Sequence, residues 1–315
     1  MARPLRIEYP CAFYHVTSRG NEQKEILKND KDKEKFISYL ESATIRYDAA
    51  IHAYCLMNNH YHLLIETPSG NLSQIMRHIN GAYTTYFNLK RKRAGHLLQG
   101  RYKAILVDAD EYAQELSRYI HLNPVRAGIT ERPEEYAWSS YKCYISKGKK
   151  PEWLRIEFIL RYFGKKEADA QKKYRLFVDS VIGSEYENPL VETIASTILG
   201  SADFVKEITK KYLNDKQKDR NLPALRQLFR KPTTEKIMDT VKSVIADDEK
   251  LSKVASIYFC HRYSGVSLKE IGIRLGIGES AVSQASRRFA IRAANDSKLK
   301  KTVEKIEGAI KVSRV

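Results

Sequence analysis

Cysteine is sparse in this chain. The four present, Cys11, Cys55, Cys143 and Cys260, show no CxxC spacing and lie mostly among apolar neighbours. That pattern gives no zinc knuckle and no disulfide framework, and a reducing cytoplasm is the expected location. No run approaches the ~18 apolar residues of a membrane span, and the charged segment 1–10 has no apolar run behind it, so neither secretion nor a membrane partner is expected. A GxxxxGK[ST] phosphate loop is missing as well, which argues against a helicase-coupled enzyme. Acidic residues are in deficit: 38 Asp and Glu face 55 Lys and Arg, for a formal net charge of +17. An excess of this size attracts phosphate backbones at ordinary salt, so a polyanionic partner is expected rather than solubility alone. The excess is carried by residues 1–150 and 251–315 and nearly vanishes between them.

What is present reads first as strand, helix, strand, strand, helix, strand, helix. Residues 12–18 suit a strand, and 30–47 have helical spacing through Phe36, Leu40, Ala43 and Ile45. Residues 51–57 and 60–67 read as the arms of a tight hairpin turning at Asn58 and Asn59. Asn71 is placed to cap a helix running to about Lys92. After a short strand over 104–107, Asp110 is placed to cap a helix that Pro124 stops. This order predicts an α+β domain over 1–146, a ferredoxin-like antiparallel sheet with helices on one face. A linker is expected over 146–151, and an all-α C-terminal region beyond it. Residues 147–250 form its helical linker or middle part, without readable chemistry. Residues 251–315 carry a helix-turn-helix: a helix over 267–275, the turn Gly276-Ile277-Gly278, and a second helix over about 280–293. The second helix is expected to expose Ser283, Gln284, Ser286, Arg287 and Arg288, residue types that contact bases and phosphates from a major groove. An ordinary helical hairpin with a charged outer face is the plainer alternative.

The chemistry concentrates in Asn58-Asn59-His60-Tyr61-His62-Leu63-Leu64-Ile65. Residues two apart on a strand share a face, so His60 and His62 present two imidazoles together while Leu63 and Ile65 turn to the other side. Residues four apart on a helix also share a face, which brings Tyr119 and Asn123 toward one point. Taken singly, a His-X-His pair is more often two satisfied core histidines, a tyrosine in an apolar stripe is packing, and Asn123 closes a helix end.

The ordered motifs are more specific than any one residue. Tyr14-His15-Val16-Thr17-Ser18-Arg19-Gly20-Asn21, Met57 to Leu64, Gln99-Gly100-Arg101-Tyr102, Tyr119-Ile120-His121-Leu122-Asn123-Pro124-Val125-Arg126-Ala127-Gly128 and Trp138-Ser139-Ser140-Tyr141 together resemble the IS200-like single-tyrosine transposases. The resemblance is strongest to the branch associated with repetitive extragenic palindromes. It covers residues 1–145 and places the chain among the HUH endonucleases. It implies that His60 and His62 bind a divalent metal, Mg²⁺ or Mn²⁺, that Asn123 is the third protein ligand, that Tyr119 is the nucleophile, and that His121 is supporting or structural. It further implies a single-stranded DNA substrate, often with an adjacent hairpin or palindrome, cleaved through a covalent 5′-phosphotyrosine, and leaves a homodimer possible. Arg19, Arg91, Lys92, Arg93 and Arg101 are the candidate backbone contacts, with Ser283, Gln284, Arg287 and Arg288 in the C-terminal module. A DNA-binding regulator that keeps this fold without nicking is the main alternative. A metal-dependent hydrolase of small phosphate esters explains the histidines but leaves Tyr119 and the basic C-terminal segment unused.

Overall fold

The structure, a computed structural model, describes residues 6–146, 150–184, 186, 188–194, 197–213, 232–246, 248–264 and 266–312. The chain forms two compact units, Met1–Tyr212 and Leu213–Val315. This division differs from one at 1–146, 147–250 and 251–315, because residues 150–212 lie within the first unit. The expected linker at 146–151 falls partly on 147–149, outside the described residues.

In the first unit, β1 (Ala12–Arg19), α1 (Asp30–Tyr47), β2 (Ala50–Leu56), β3 (His60–Thr67), α2 (Leu72–Lys90) and β4 (Lys103–Val107) alternate as the sequence pattern requires. The strands β2-β3-β1-β4 pair antiparallel in that spatial order. Asn29 accepts the Asp32 amide hydrogen at 3.1 Å and so fixes the start of α1, a cap that contributes about 1 kcal/mol. Asn71 does begin α2, but its side chain makes no capping bond and donates instead to Tyr47 O at 3.0 Å.

Alternation along β3 sorts the sheet into two faces. Tyr61 turns to α1 and α2, its ring 4.7 Å from Phe36 and its hydroxyl donating to Asn80 at 2.6 Å. His60 and His62 turn to the opposite face, which is covered by α3 (Ala109–His121). The expectation of helices on one face therefore fails for α3. The cap of this helix is Asp108 rather than Asp110. Pro124 does not end helical structure outright, since it lies in a further short turn, α4 (Asn123–Arg126), where its missing N–H is harmless.

Residues beyond 146 complete the first unit. After α5 (Tyr141–Ile145), α6 (Glu157–Leu160) and α7 (Glu167–Asp179), β5 (Ile198–Leu199) joins the sheet parallel to β4 and precedes α8 (Ala202–Ile208). An all-α region after 146 is thus corrected by β5: a two-residue strand is too short to show a period. At Gly200 a Cβ would lie 2.4 Å from the Phe204 ring, so only glycine fits between β5 and α8.

The second unit holds α9 (Thr234–Val244), α10 (Glu249–Tyr263), α11 (Leu268–Leu275), α12 (Glu279–Asn295) and α13 (Ser297–Val312). Its core includes Ile237, Val241, Phe259, Val282, Phe289 and Ile306. Ser267 and Glu270 form a reciprocal capping box at the start of α11. Gly276 ends that helix at φ 68°, a left-handed conformation that favours glycine. Among the described residues, no helix is long and apolar enough to cross a membrane.

Candidate active site

The register of the sheet assembles the site. Thr17 stands opposite His62 and Arg19 opposite His60, so His15, two residues before Thr17 on the same face, reaches His62 diagonally. Its Nε2 lies 3.0 Å from His62 Nδ1. The rings of His60 and His62 are 5.0 Å apart and perpendicular within about ten degrees. From α3, the Tyr119 ring meets both His62, at 5.8 Å, and His15, at 6.0 Å, edge to face. Arg126 on α4 places its guanidinium carbon 4.8 Å from the Tyr119 ring centroid.

Hydrogen bonds fix how these groups present themselves. The Asn59 amide donates to Gln23 O at 3.4 Å, which turns its oxygen toward His60 Nδ1 at 2.6 Å. His60 Nδ1 is therefore the donor, and Nε2 keeps its lone pair. Asn59 itself is held by Gly20, whose amide donates to Asn59 O at 2.8 Å. A Cβ on Gly20 would sit 2.0 Å from Lys24 O, so no larger residue allows this turn. The Asn123 amide nitrogen donates to Tyr119 O at 2.9 Å and Ile120 O at 3.4 Å. Its use in closing α3 leaves the side-chain oxygen as an acceptor.

Burial, reinforced by the charges of His15, His60 and Arg126, holds His62 well below the usual imidazole range. Burial and then the Arg19 charge lower His60, and burial alone lowers His15 to about 4. All three imidazoles are thus neutral near pH 7, as metal ligation requires. Two imidazoles and an amide oxygen are a donor set that suits a divalent cation of moderate hardness. Among the described residues no group of three or more His, Cys, Asp or Glu is arranged to hold a metal ion.

The helix carrying Tyr119 is gripped from behind. His121, fully buried, hydrogen-bonds Ser140 Oγ and the Tyr174 hydroxyl, each at 2.7 Å. Arg118 donates to Glu115 at 2.5 Å and to Phe177 O at 3.0 Å. Both ring nitrogens of His121 are engaged away from the histidine cluster, which makes its role structural.

The proposed DNA contacts separate into free and engaged cations. Arg19 is exposed, and its Nε donates to Gln99 at 2.6 Å while the Gln99 amide returns a bond to Arg19 O at 2.9 Å. Lys92, Arg93 and Arg101 are also exposed. Arg91 differs: with Lys90 it pairs to the fully buried Asp32 carboxylate, so its charge is committed to the fold. In the second unit Ser283, Gln284, Arg287 and Arg288 are exposed on α12. Ser286 is not: it is buried in the stripe Val282, Ser286, Phe289, Ala293 and bonds His261 Nδ1 at 2.9 Å.

Sequence reasoning did not assign site roles to His15 and Arg126. Arg126 follows Tyr119 and Asn123 at i+7, a helical spacing that would have pointed to it. His15 emerges only from the strand register.

Comparison with known proteins finds a likeness over this region. Residues 10–123 match the model for "Transposase IS200 like". This stretch is similar to the IS200-like transposases. The match takes in His15, His60, His62, Tyr119 and Asn123, and bears out the resemblance carried by the motifs. Two solved structures are similar to the chain. One is a REP-associated tyrosine transposase bound to a REP hairpin, 16% identical over 49% of this chain and 92% of that one, with a TM-score of 0.41. The other is a Deinococcus radiodurans protein solved as a candidate transposase, 17% identical over 38% and 95%, with a TM-score of 0.28. No curated protein matches the chain. The matched stretch ends short of Arg126 and of the helices within 150–212 that brace α3.

Proposed function

We propose that the first unit cleaves and rejoins single-stranded DNA through Tyr119. The observation that supports this most directly is the placement of Tyr119, edge-on to His62 and beneath the Arg126 guanidinium, on a helix clamped by His121 and Arg118. A phenol with pKa near ~10 is a weak nucleophile at neutral pH, so it needs positioning and charge stabilisation. The Tyr119 oxygen forms a bond to phosphorus as the P–O3′ bond breaks. The phenolic proton is lost to solvent, the departing O3′ takes one up, and the bond energy is retained in a 5′-phosphotyrosine that a 3′-hydroxyl can later reverse. Arg126 and Arg19 flank the histidine pair with positive charge suited to phosphate oxygens. His60, His62 and Asn123 are the residues to hold Mg²⁺ or Mn²⁺, which when bound supplies Lewis-acid polarisation of the scissile phosphate.

The strand order β2-β3-β1-β4 with two helices on one face supports a ferredoxin-like core, and the motif set supports the branch associated with repetitive extragenic palindromes. A hairpin or palindromic target follows from that branch. The second unit supplies a helix-turn-helix in α11 and α12 that reads the duplex part of such a target, with Ser283, Gln284, Arg287 and Arg288 on the exposed side of α12. A cytoplasmic site of action is part of this reading, and a homodimer is compatible with it.

The deciding experiment incubates the protein with Mn²⁺ and labelled single-stranded DNA bearing palindromes that flank its gene, and resolves the products on a denaturing gel. A protein-linked product that Tyr119→Phe abolishes while DNA binding persists is the expected result. Tight binding without adduct across several metals would leave a non-nicking DNA-binding regulator as the function.

A further inference from the structure

His15 occupies a position where an imidazole is poorly served by the fold. It is 1% exposed, and its Nδ1 is buried without a hydrogen-bond partner. A leucine or phenylalanine would fill this space without stranding a polar atom. Among the described residues, the one polar contact of His15 is the 3.0 Å bond from its Nε2 to His62 Nδ1.

Two neutral imidazoles can share that bond in two ways. In the first, His62 Nδ1–H donates to His15 Nε2; His62 Nε2 then carries a lone pair, and His15 bears a stranded Nδ1–H. In the second, His15 Nε2–H donates to His62 Nδ1; His62 Nε2 then carries a hydrogen and cannot ligate a cation. His60 shows no such ambiguity, because Asn59 offers it only an oxygen. An acceptor behind each histidine is the arrangement that orients metal-binding imidazoles and raises their basicity.

We propose that His15 is a positioning residue: it accepts the His62 Nδ1–H and thereby holds His62 in the tautomer whose Nε2 lone pair faces a divalent cation. This rests on the proposed role of His60 and His62. His15 is to His62 what Asn59 is to His60, with the difference that His15 strands its own second nitrogen to do so.

The test compares wild type, His15→Leu and His15→Gln without DNA. Gln retains an acceptor near the former Nε2; Leu does not. Mn²⁺ affinity is measured by titration calorimetry, the His62 tautomer by two-dimensional NMR of histidine-labelled metal-free protein, and folding by the melting temperature of that protein. In wild type the His62 proton is expected on Nδ1. His15→Leu is expected to melt no lower than wild type, to lose the single His62 tautomer, and to bind Mn²⁺ about 10- to 100-fold more weakly. His15→Gln is expected to recover most of the affinity. Unchanged Mn²⁺ affinity in a folded His15→Leu protein, or a wild-type His62 proton on Nε2, overturns the proposal. Wild type that binds no Mn²⁺ overturns the metal reading of the site, and the tautomer spectrum then still decides whether His15 sets His62.

Discussion

Arg126 lies over the ring of Tyr119, its guanidinium carbon 4.8 Å from the ring centroid, while remaining exposed to solvent. In the proposed reaction, a guanidinium in this place meets a phosphate oxygen as the Tyr119 oxygen approaches phosphorus. Its exposure means that little of the fold depends on it. Arg126→Ala is expected to slow adduct formation by about 100-fold and to change stability by less than about 0.5 kcal/mol. Arg126→Lys should recover part of the rate, since the charge survives and the planar fork does not. Single-turnover adduct kinetics alongside urea melts check both halves, and an unimpaired Arg126→Ala rate removes Arg126 from the chemistry.

Asp32 makes the opposite kind of contact. Burial alone would raise its carboxyl, but the hydrogen bonds and charges of Lys90 and Arg91 outweigh that and hold it below the usual carboxylate range. Removing the carboxylate leaves two cations facing an empty buried site, and Asp32→Ala should cost about 3–5 kcal/mol. A carboxyl lowered in the folded state contributes stability that is present above its unfolded pKa of about 3.9 and is lost as pH falls through the folded value. Urea melts of wild type and Asp32→Asn should therefore differ at pH 7, and the difference should start to shrink only once pH falls below about 4. A difference that persists in acid would show that the ion pair is not its source.

On α12 neighbouring side chains separate binding from folding. Arg287 is exposed, whereas Ser286 is buried and bonded to His261 at 2.9 Å. Arg287→Ala should weaken duplex binding and reduce the slope of log K against log salt by about 1, with no change in melting temperature. Ser286→Ala should leave that slope unchanged and destabilise the second unit by about 1 kcal/mol. Fluorescence anisotropy over a salt series, with calorimetric melting, distinguishes the two. Equal salt slopes for wild type and Arg287→Ala would take this face of α12 off the DNA.

Much of the site was legible because strand and helix periods are short. The apolar spacing gave α1 its bounds, and alternation put His60 and His62 on the face opposite Leu63 and Ile65. What escaped the sequence depends on which strands and side chains meet. His15 reaches His62 through the β1–β3 register, Arg91 is drawn into a pair with Asp32 from another helix, and β5 is too short to carry a pattern. Ser286 was legible in principle: its spacing from Val282 and Phe289 places it on the buried stripe, and its polarity alone suggested otherwise. Asp108 and Asp110 both suit a helix start, and the cap fell to Asp108, whose carboxylate accepts from Ser201 at 3.2 Å.

His121 makes the bracing of α3 sensitive to pH. It is fully buried, both nitrogens are engaged by Ser140 and Tyr174, and burial lowers its pKa to about 3. In the unfolded chain the same imidazole takes up a proton near pH 6.5. Because the folded state refuses that proton, stability is full above about pH 6.5 and falls as pH drops toward the folded value, by about 1.4 kcal/mol per pH unit for this one group. His121→Gln keeps one hydrogen-bonding amide and cannot titrate. It is expected to be less stable than wild type at pH 7 but to lose stability less steeply between pH 6 and pH 4, measured from urea melts across that interval. If the two slopes coincide, His121 is not among the groups that charge on unfolding.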